Sequence, residues 1–228
     1  ETHRSMFDEG IVFSTLIPAE DWLKGYYARS GYATCFRYGV LKKVINSYEQ
    51  PVNNSVSYLK MSKIDLLKNP EETIYPYFNE QMNRRSCCIQ HTFDDFHVVL
   101  SDLALSKGDV WTIYKGDVLS GLIFCLMQEK TLSVKEILLS DEADLTVALH
   151  QLAAFYQAET MTCILPFADE MHELGMARLI NVPACLELYA AVYQGEELCI
   201  HLQGDEVIGE NNGYYTVSPG KMIQGYQM

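Results

Sequence analysis

The hydrophobic pattern opens with a β-branched run, Ile11–Ile17, stopped by Pro18. Ala19-Glu20-Asp21 then places acidic residues where a helix begins, which suits the positive end of the helix dipole. Trp22, Leu23, Tyr26 and Tyr27 follow at spacings that put them on one helical face. Gly31 stands where a left-handed C-terminal cap is wanted, and Tyr32 opens a run of strand formers that ends at Tyr38. The stretch therefore predicts strand, tight turn, helix, glycine, strand. Residues 1–10 read as the end of a helix closed by Gly10, so the chain opens in mid-pattern, like the tail of a domain that starts upstream.

A polar connector, Asn46–Ser55, carries Pro51 and the pair Asn53-Asn54, turn chemistry that marks a domain boundary. Val56–Met61 reads as a strand. Asn69 is placed to cap a helix with Pro70 in its first position and Glu71-Glu72 in its first turn. Ile74, Tyr77, Phe78 and Met82 give that helix its apolar stripe. Thr92 with Asp95 reads as a capping box for a second helix, on which Phe93, Phe96, Val99, Leu100 and Leu103 recur. From Asp109 the pattern changes to strands, Val110–Tyr114, Val118–Gln128 and Leu132–Leu139, the first two joined by a turn at Lys115-Gly116-Asp117. Asp141 or Asp144 caps a helix that runs to about Gln157, and Met161–Leu165 is a strand ended by Pro166. After 175 come a strand, Asn181-Val-Pro at a helix start, and strands at Leu198–Leu202 and Gly213–Val217. The fold class predicted is mixed α+β.

Composition narrows the partners. The chain of 228 residues carries a formal charge of −13. That opposes nucleic-acid binding, which needs cationic surface to replace counterions, and favours cationic ligands such as amines. No apolar run approaches the roughly 18 residues of a membrane span, and no signal peptide opens the chain. Seven cysteines, Cys35, Cys87, Cys88, Cys125, Cys163, Cys185 and Cys199, are odd in number and mostly inside apolar runs. Reduced, buried thiols in a cytoplasm fit them better than a disulfide frame. The pair Cys87-Cys88 has no further Cys or His at a ligand spacing, so no metal site is expected.

Leu16-Ile-Pro-Ala-Glu20 and Tyr27-Ala-Arg-Ser-Gly-Tyr32 resemble the last part of a GNAT acetyltransferase domain. The likeness is to the enhanced-intracellular-survival (Eis-like) group, multi-domain bacterial aminoglycoside and protein N-acetyltransferases. Arg178-Leu-Ile-Asn-Val-Pro-Ala-Cys-Leu-Glu187 resembles the entry to that group's sterol-carrier-like domain, and it is the more specific of the two matches. The resemblance implies three parts: residues 1–40 as the end of a first GNAT domain, 41–174 as a second, non-catalytic GNAT-like domain, and 175–228 as part of a sterol-carrier-like domain. It also implies that Tyr27 is the general acid that protonates the coenzyme A thiolate. A phenol with a pKa of about 10 stays protonated at neutral pH and can donate to a thiolate whose acid has a pKa of about 8.5. Periodicity by itself makes Tyr27 a packing aromatic.

Coenzyme A pyrophosphate needs a turn of free backbone N–H groups at a helix start, usually Arg/Gln-x-x-Gly-x-Gly/Ala. No such run occurs in the sequence. For the second domain this implies a structural role; for the first it places the cofactor-binding residues upstream of Glu1, so that this stretch alone should bind acetyl-CoA poorly. In the look-alike group the terminal carboxylate is the general base. Met228 falls too early in the domain for that role.

The six histidines make no metal pattern, and Gly204-Asp205 reads as a hairpin turn, not a site. His172 falls in an acidic loop, 169–173; each histidine is read as solvated or core, and the acidic cluster and Glu196-Glu197 as solvated surface. The function expected is acetyl-CoA-dependent transfer to a primary amine, on a small cationic molecule or a lysine side chain. The rival reading is a non-catalytic protein that holds a hydrophobic ligand in its sterol-carrier-like region. Fifteen tyrosines and the family's habit allow a homo-oligomer.

Overall fold

Gly10 turns the chain out of its first helix at a φ of 78°, backbone that an L side chain resists. That helix is Thr2–Asp8 (α1), and the strand behind it, Phe13–Leu16 (β1), is shorter than the apolar run that suggested it. The computed structural model describes residues 2–45, 59–68, 70–86 and 88–225. It divides into two units, Glu1–Phe36 with Glu173–Met228, and Arg37–His172. The connector expected at 46–55, the start of the strand expected at 56–61, the cap at Asn69, Cys87 and Met228 lie outside the described residues.

After β1 come a short helix, Leu23–Ala28 (α2), and a long strand, Ala33–Val44 (β2). The second unit is then a sheet with helices on both faces. Its strands are the last part of β2, Lys60–Lys63 (β3), Asp109–Lys115 (β4), Val118–Gln128 (β5), Thr131–Leu139 (β6) and Thr160–Leu165 (β7), in the order β2-β7-β6-β5-β4-β3. All neighbours are antiparallel except β6 and β7. Glu71–Asn83 (α3) and Phe93–Leu105 (α4) cover one face, and Leu145–Tyr156 (α5) the other.

The reason β5 reads as an unbroken apolar run is that both its faces are covered. Leu122 and Phe124 point to Ile74, Phe78, Phe96 and Leu100 of α3 and α4. Ile123 and Cys125 point to Ala148, Leu149 and Leu152 of α5. A strand buried on both sides has no polar alternation to show. The helix stripes expected for α3 fall in the core, with Ile74, Tyr77, Phe78 and Met82 all buried. The capping box is present: Thr92 Oγ1 accepts from the Asp95 N–H at 3.1 Å, and the Asp95 carboxylate accepts from the Thr92 N–H at 3.0 Å. On α4, Phe96 and Leu100 are buried while Phe93 is exposed, because the stripe is narrower than its sequence.

Returning to the first unit, Met171–Leu179 (β8) pairs antiparallel with β1, Phe13 opposite Leu179. Val182–Val192 (α6) packs Val182, Leu186 and Ala190 on Tyr215 and Val217 of a three-stranded sheet, Leu198–Leu202 (β9), Gly213–Ser218 (β10) and Lys221–Gly225 (β11). Among the described residues the cysteines are free thiols; burial pushes Cys125 up to about 11 and Cys163 up to about 12. No helix of the described residues is long and apolar enough to cross a membrane.

Two substitutions grade these contacts. Phe96→Ala empties a fully buried position between α3, α4 and the sheet and should cost about 3–5 kcal/mol, read as a lower urea midpoint at unchanged m. Thr92→Ala should cost about 1 kcal/mol in the same assay, and Thr92→Ser far less, since serine keeps the cap.

Candidate active site

At six residues α2 is too short to stand on propensity. What fixes it is its exit. Gly31 lies at φ 82°, the Gly31 N–H donates to the Ala28 carbonyl at 3.0 Å, and the Tyr32 N–H donates to the Tyr27 carbonyl at 3.3 Å. These two bonds make a Schellman closure, in which Tyr27 and Tyr32 hold the two positions that normally touch. They do touch: the rings meet edge-on at 6.0 Å, and Tyr26 meets Tyr27 edge-on at 5.3 Å. Tyr32 is buried, with its hydroxyl 2.6 Å from Ser14 Oγ and 3.2 Å from His3 Nε2. Burial, then the Arg178 charge, pushes the His3 imidazole below its ordinary range.

Tyr27 is half-buried, and among the described residues its hydroxyl has no hydrogen-bond partner. The helical face drawn from the sequence is divided. Leu23 and Tyr27 turn inward, whereas Trp22 is 72% exposed and Tyr26 54% exposed. The helix starts one residue after Trp22, so Trp22 belongs to the turn before it and Glu20-Asp21 precede the first turn. Asp21 instead pairs with Lys24, which also reaches Glu173, contacts of an exposed kind that stabilise little.

The turn that ends α2 rests on a buried charge. Arg178, on β8, is 8% exposed. Its Nη1 donates to the Ser30 carbonyl at 2.6 Å, and its Nη2 donates to both oxygens of Asp205 at 2.9 and 3.0 Å. A Cβ on Gly31 would come within 3.0 Å of that same Nη1. Asp205 also accepts from the Val207 and Ile208 N–H groups and from Asn211 Nδ2. Burial acts to raise the Asp205 pKa, but the Asn211 and Ile208 bonds and the Arg178 charge outweigh it, and the carboxyl lies below its ordinary range. Asn211 is itself 2% exposed; its Oδ1 accepts from the Val182 N–H and its Nδ2 donates to the Ile180 carbonyl, which ties the network to the start of α6.

Two readings of the sequence change here, and the helix start at Asn181 is filled in. Gly204-Asp205 is more than a turn: Gly204 does take a φ of 85°, yet ten residues separate β9 from β10, and Asp205 is the anion at the centre of that loop. Asn181 is the cap of α6, accepting from the Ala184 N–H at 3.0 Å. His172 and Glu173 sit in β8, not in a loop, and the His172 ring lies 5.5 Å from that of Tyr38.

The second unit offers a contrasting position. Its parallel ladder covers Thr131–Val134 against Thr160–Cys163, and β6 runs on past it. A bulge falls at that point: Phe124 faces Glu136 and Cys125 faces Val134, so Lys135 is the extra residue. Bulges bend a strand, and this one lies directly after the last pair of the ladder. Glu136 follows it, with burial pushing its carboxyl up against the pull of Arg85, 2.9 Å away. The helix that starts next, α5, is where backbone N–H groups would receive a phosphate. Asp141 already accepts from the Ala143 N–H at 3.0 Å, Asp144 stands at the N-cap, and both pair with Lys115. A pyrophosphate would meet two carboxylates there. Of the alternatives read from the sequence, Asp141 supplies the side-chain cap, to the short 3-10 turn Glu142–Asp144 that leads into α5.

No family model and no curated protein matches this chain. Solved structures do. A GCN5-related N-acetyltransferase from Anabaena variabilis superposes with a TM-score of 0.70 at 17% identity, over 99% of this chain and 62% of its own. A conserved Enterococcus faecalis protein described as a probable N-acyltransferase gives 0.76 at 14% identity, over 100% and 61%. Eis1 from Mycobacterium abscessus gives 0.67 at 13% identity, over 99% and 62%. The fold is thus the mixed α+β fold of GCN5-related N-acetyltransferases. The chain spans about three fifths of the length of these structures.

The Asp205 pKa predicts an acid limb. Its folded value lies below its unfolded one, so the stability it contributes is complete above the unfolded value and is lost as pH falls through the folded one. The difference in unfolding free energy between the wild type and Asp205→Asn should hold steady above about pH 5 and shrink below about pH 4, measured by urea titration across that range.

Proposed function

We propose that this chain is the acid-bearing part of an acetyl-CoA-dependent N-acetyltransferase acting on a primary amine, carried by a small cationic molecule or a lysine side chain. The supporting observation is the state of Tyr27: a half-buried ring held edge-on by Tyr26 and Tyr32, with a hydroxyl that spends its proton on no neighbour among the described residues. The fold shared with N-acetyltransferases supports acyl transfer as the class of reaction, and the charge of −13 suits a cationic acceptor.

The step balances simply. The neutral amine attacks the thioester carbonyl, the C–N bond forms as the C–S bond breaks, and the electron pair leaves with sulfur. Tyr27 Oη–H gives its proton to that thiolate, the protonated nitrogen of the acceptor loses one proton to solvent or to a base, and the tyrosinate regains one from solvent, leaving amide, free thiol and neutral Tyr27. The carboxylates of Asp141 and Asp144, both paired with Lys115, stand beside the start of α5 and disfavour a pyrophosphate there. In the full-length protein Tyr27→Phe should lower turnover about 10²–10⁴-fold with little change in acetyl-CoA affinity. Thiol release in steady state gives the first quantity and titration calorimetry the second. Turnover equal to wild type in that variant removes Tyr27 from the chemistry.

A further inference from the structure

We propose that Arg178 and Asp205 are positioning residues for Tyr27, so that the loop between β9 and β10 sets the aim of the phenol. The inference rests on the proposed role of Tyr27 for its consequence in catalysis, but its geometric core stands separately. The ring of Tyr27 is fixed by the Schellman closure at Ser30, Gly31 and Tyr32, not by the helix it sits on, which is a turn and a half long. One guanidinium nitrogen takes the Ser30 carbonyl, a group the helix itself leaves without a partner, and lies against the Gly31 α-carbon. The other nitrogen is tied to Asp205, and Asp205 is tied in turn to Asn211 and to two backbone N–H groups. Each member has its orientation set by the next, from the β9–β10 loop to the aromatic ring.

The chemistry of the pair fits a device for placement. Burying an ion pair gives little stability over apolar side chains of the same size, so stability alone is a weak reason for charge here. Arginine spans two acceptors in one plane, the Ser30 carbonyl and the Asp205 carboxylate; a lysine ammonium on a flexible stem does not hold that geometry. Gly31 adds to this, because both its φ and its contact with Nη1 refuse a side chain.

The test uses the full-length protein carrying 3-fluorotyrosine at position 27, with a second preparation labelled at Tyr75, which packs among Phe78, Phe93 and Phe96 of the other unit. In Arg178→Lys and in Asp205→Asn the fluorine resonance at 27 should shift or broaden while that at 75 stays in place. With acetyl-CoA and an amine acceptor, kcat should fall about tenfold or more and the KM for acetyl-CoA should stay within about twofold, the mark of a misaimed group and not of lost binding. A fluorine signal at 27 that is unmoved in variants with wild-type near-ultraviolet circular dichroism overturns the proposal. If one variant fails to fold, the other decides. Should Tyr27→Phe leave turnover intact while the signal at 27 still moves, placement by the pair is upheld and the acid role is lost. Should Tyr27→Phe abolish turnover while neither the signal nor kcat responds to the pair, the acid role is upheld and the placement is lost.

Discussion

The contact between the Arg178 guanidinium and the Asp205 carboxylate governs the first unit. It is the point at which the segment before β2 and the segment after β8 constrain one another. On one side it holds the carbonyl of Ser30 and thereby the closure of α2; on the other it organises Val207, Ile208 and Asn211, through which α6 receives its first hydrogen bonds. A polar group buried without a partner costs heavily; here both terminal nitrogens of Arg178, the Asp205 carboxylate and the Asn211 amide are paired, while Arg178 Nε is buried with no hydrogen-bond partner among the described residues. The Arg178 bond to Ser30 and the Schellman closure at Gly31 together hold the end of this six-residue helix.

The second unit is built on the opposite principle. Its sheet is filled on both faces by aliphatic and aromatic side chains, and its charged groups stand mostly at the margins. At the start of α5 the chain places the carboxylates of Asp141 and Asp144, both paired with Lys115. The Asp141 carboxylate accepts from the Ala143 N–H of the turn before α5, whereas Asp144 makes no side-chain cap bond.

Sequence patterning reached much of this architecture because many of its causes are local. The capping box at Thr92 and Asp95 needs only residues three apart, the cap at Asn181 likewise, and Gly10, Gly31 and Gly116 each mark positive φ at a turn read from neighbouring residues. The α3 stripe was legible because period and burial coincide. Where the pattern was less informative, a distant partner had the deciding vote. Trp22 and Tyr26 look like core by spacing and lie in solvent, because the inward side of α2 carries Tyr27, whose ring meets Tyr32, and the half-buried Leu23.

The sequence by itself determined the class of fold, the alternation of helices and strands and the acidic character of the chain, and the resemblance it carries singled out Tyr27. Tertiary structure alone decided that Asp205, which reads as half of a turn, is the anion to which Arg178 is bound 27 positions away, and that the same guanidinium reaches Ser30 at a separation of 148. Turn and cap preferences act over a few bonds and leave their mark in neighbouring letters. A buried charge is chosen by whatever the folded chain brings beside it, and no stretch of sequence contains that neighbour.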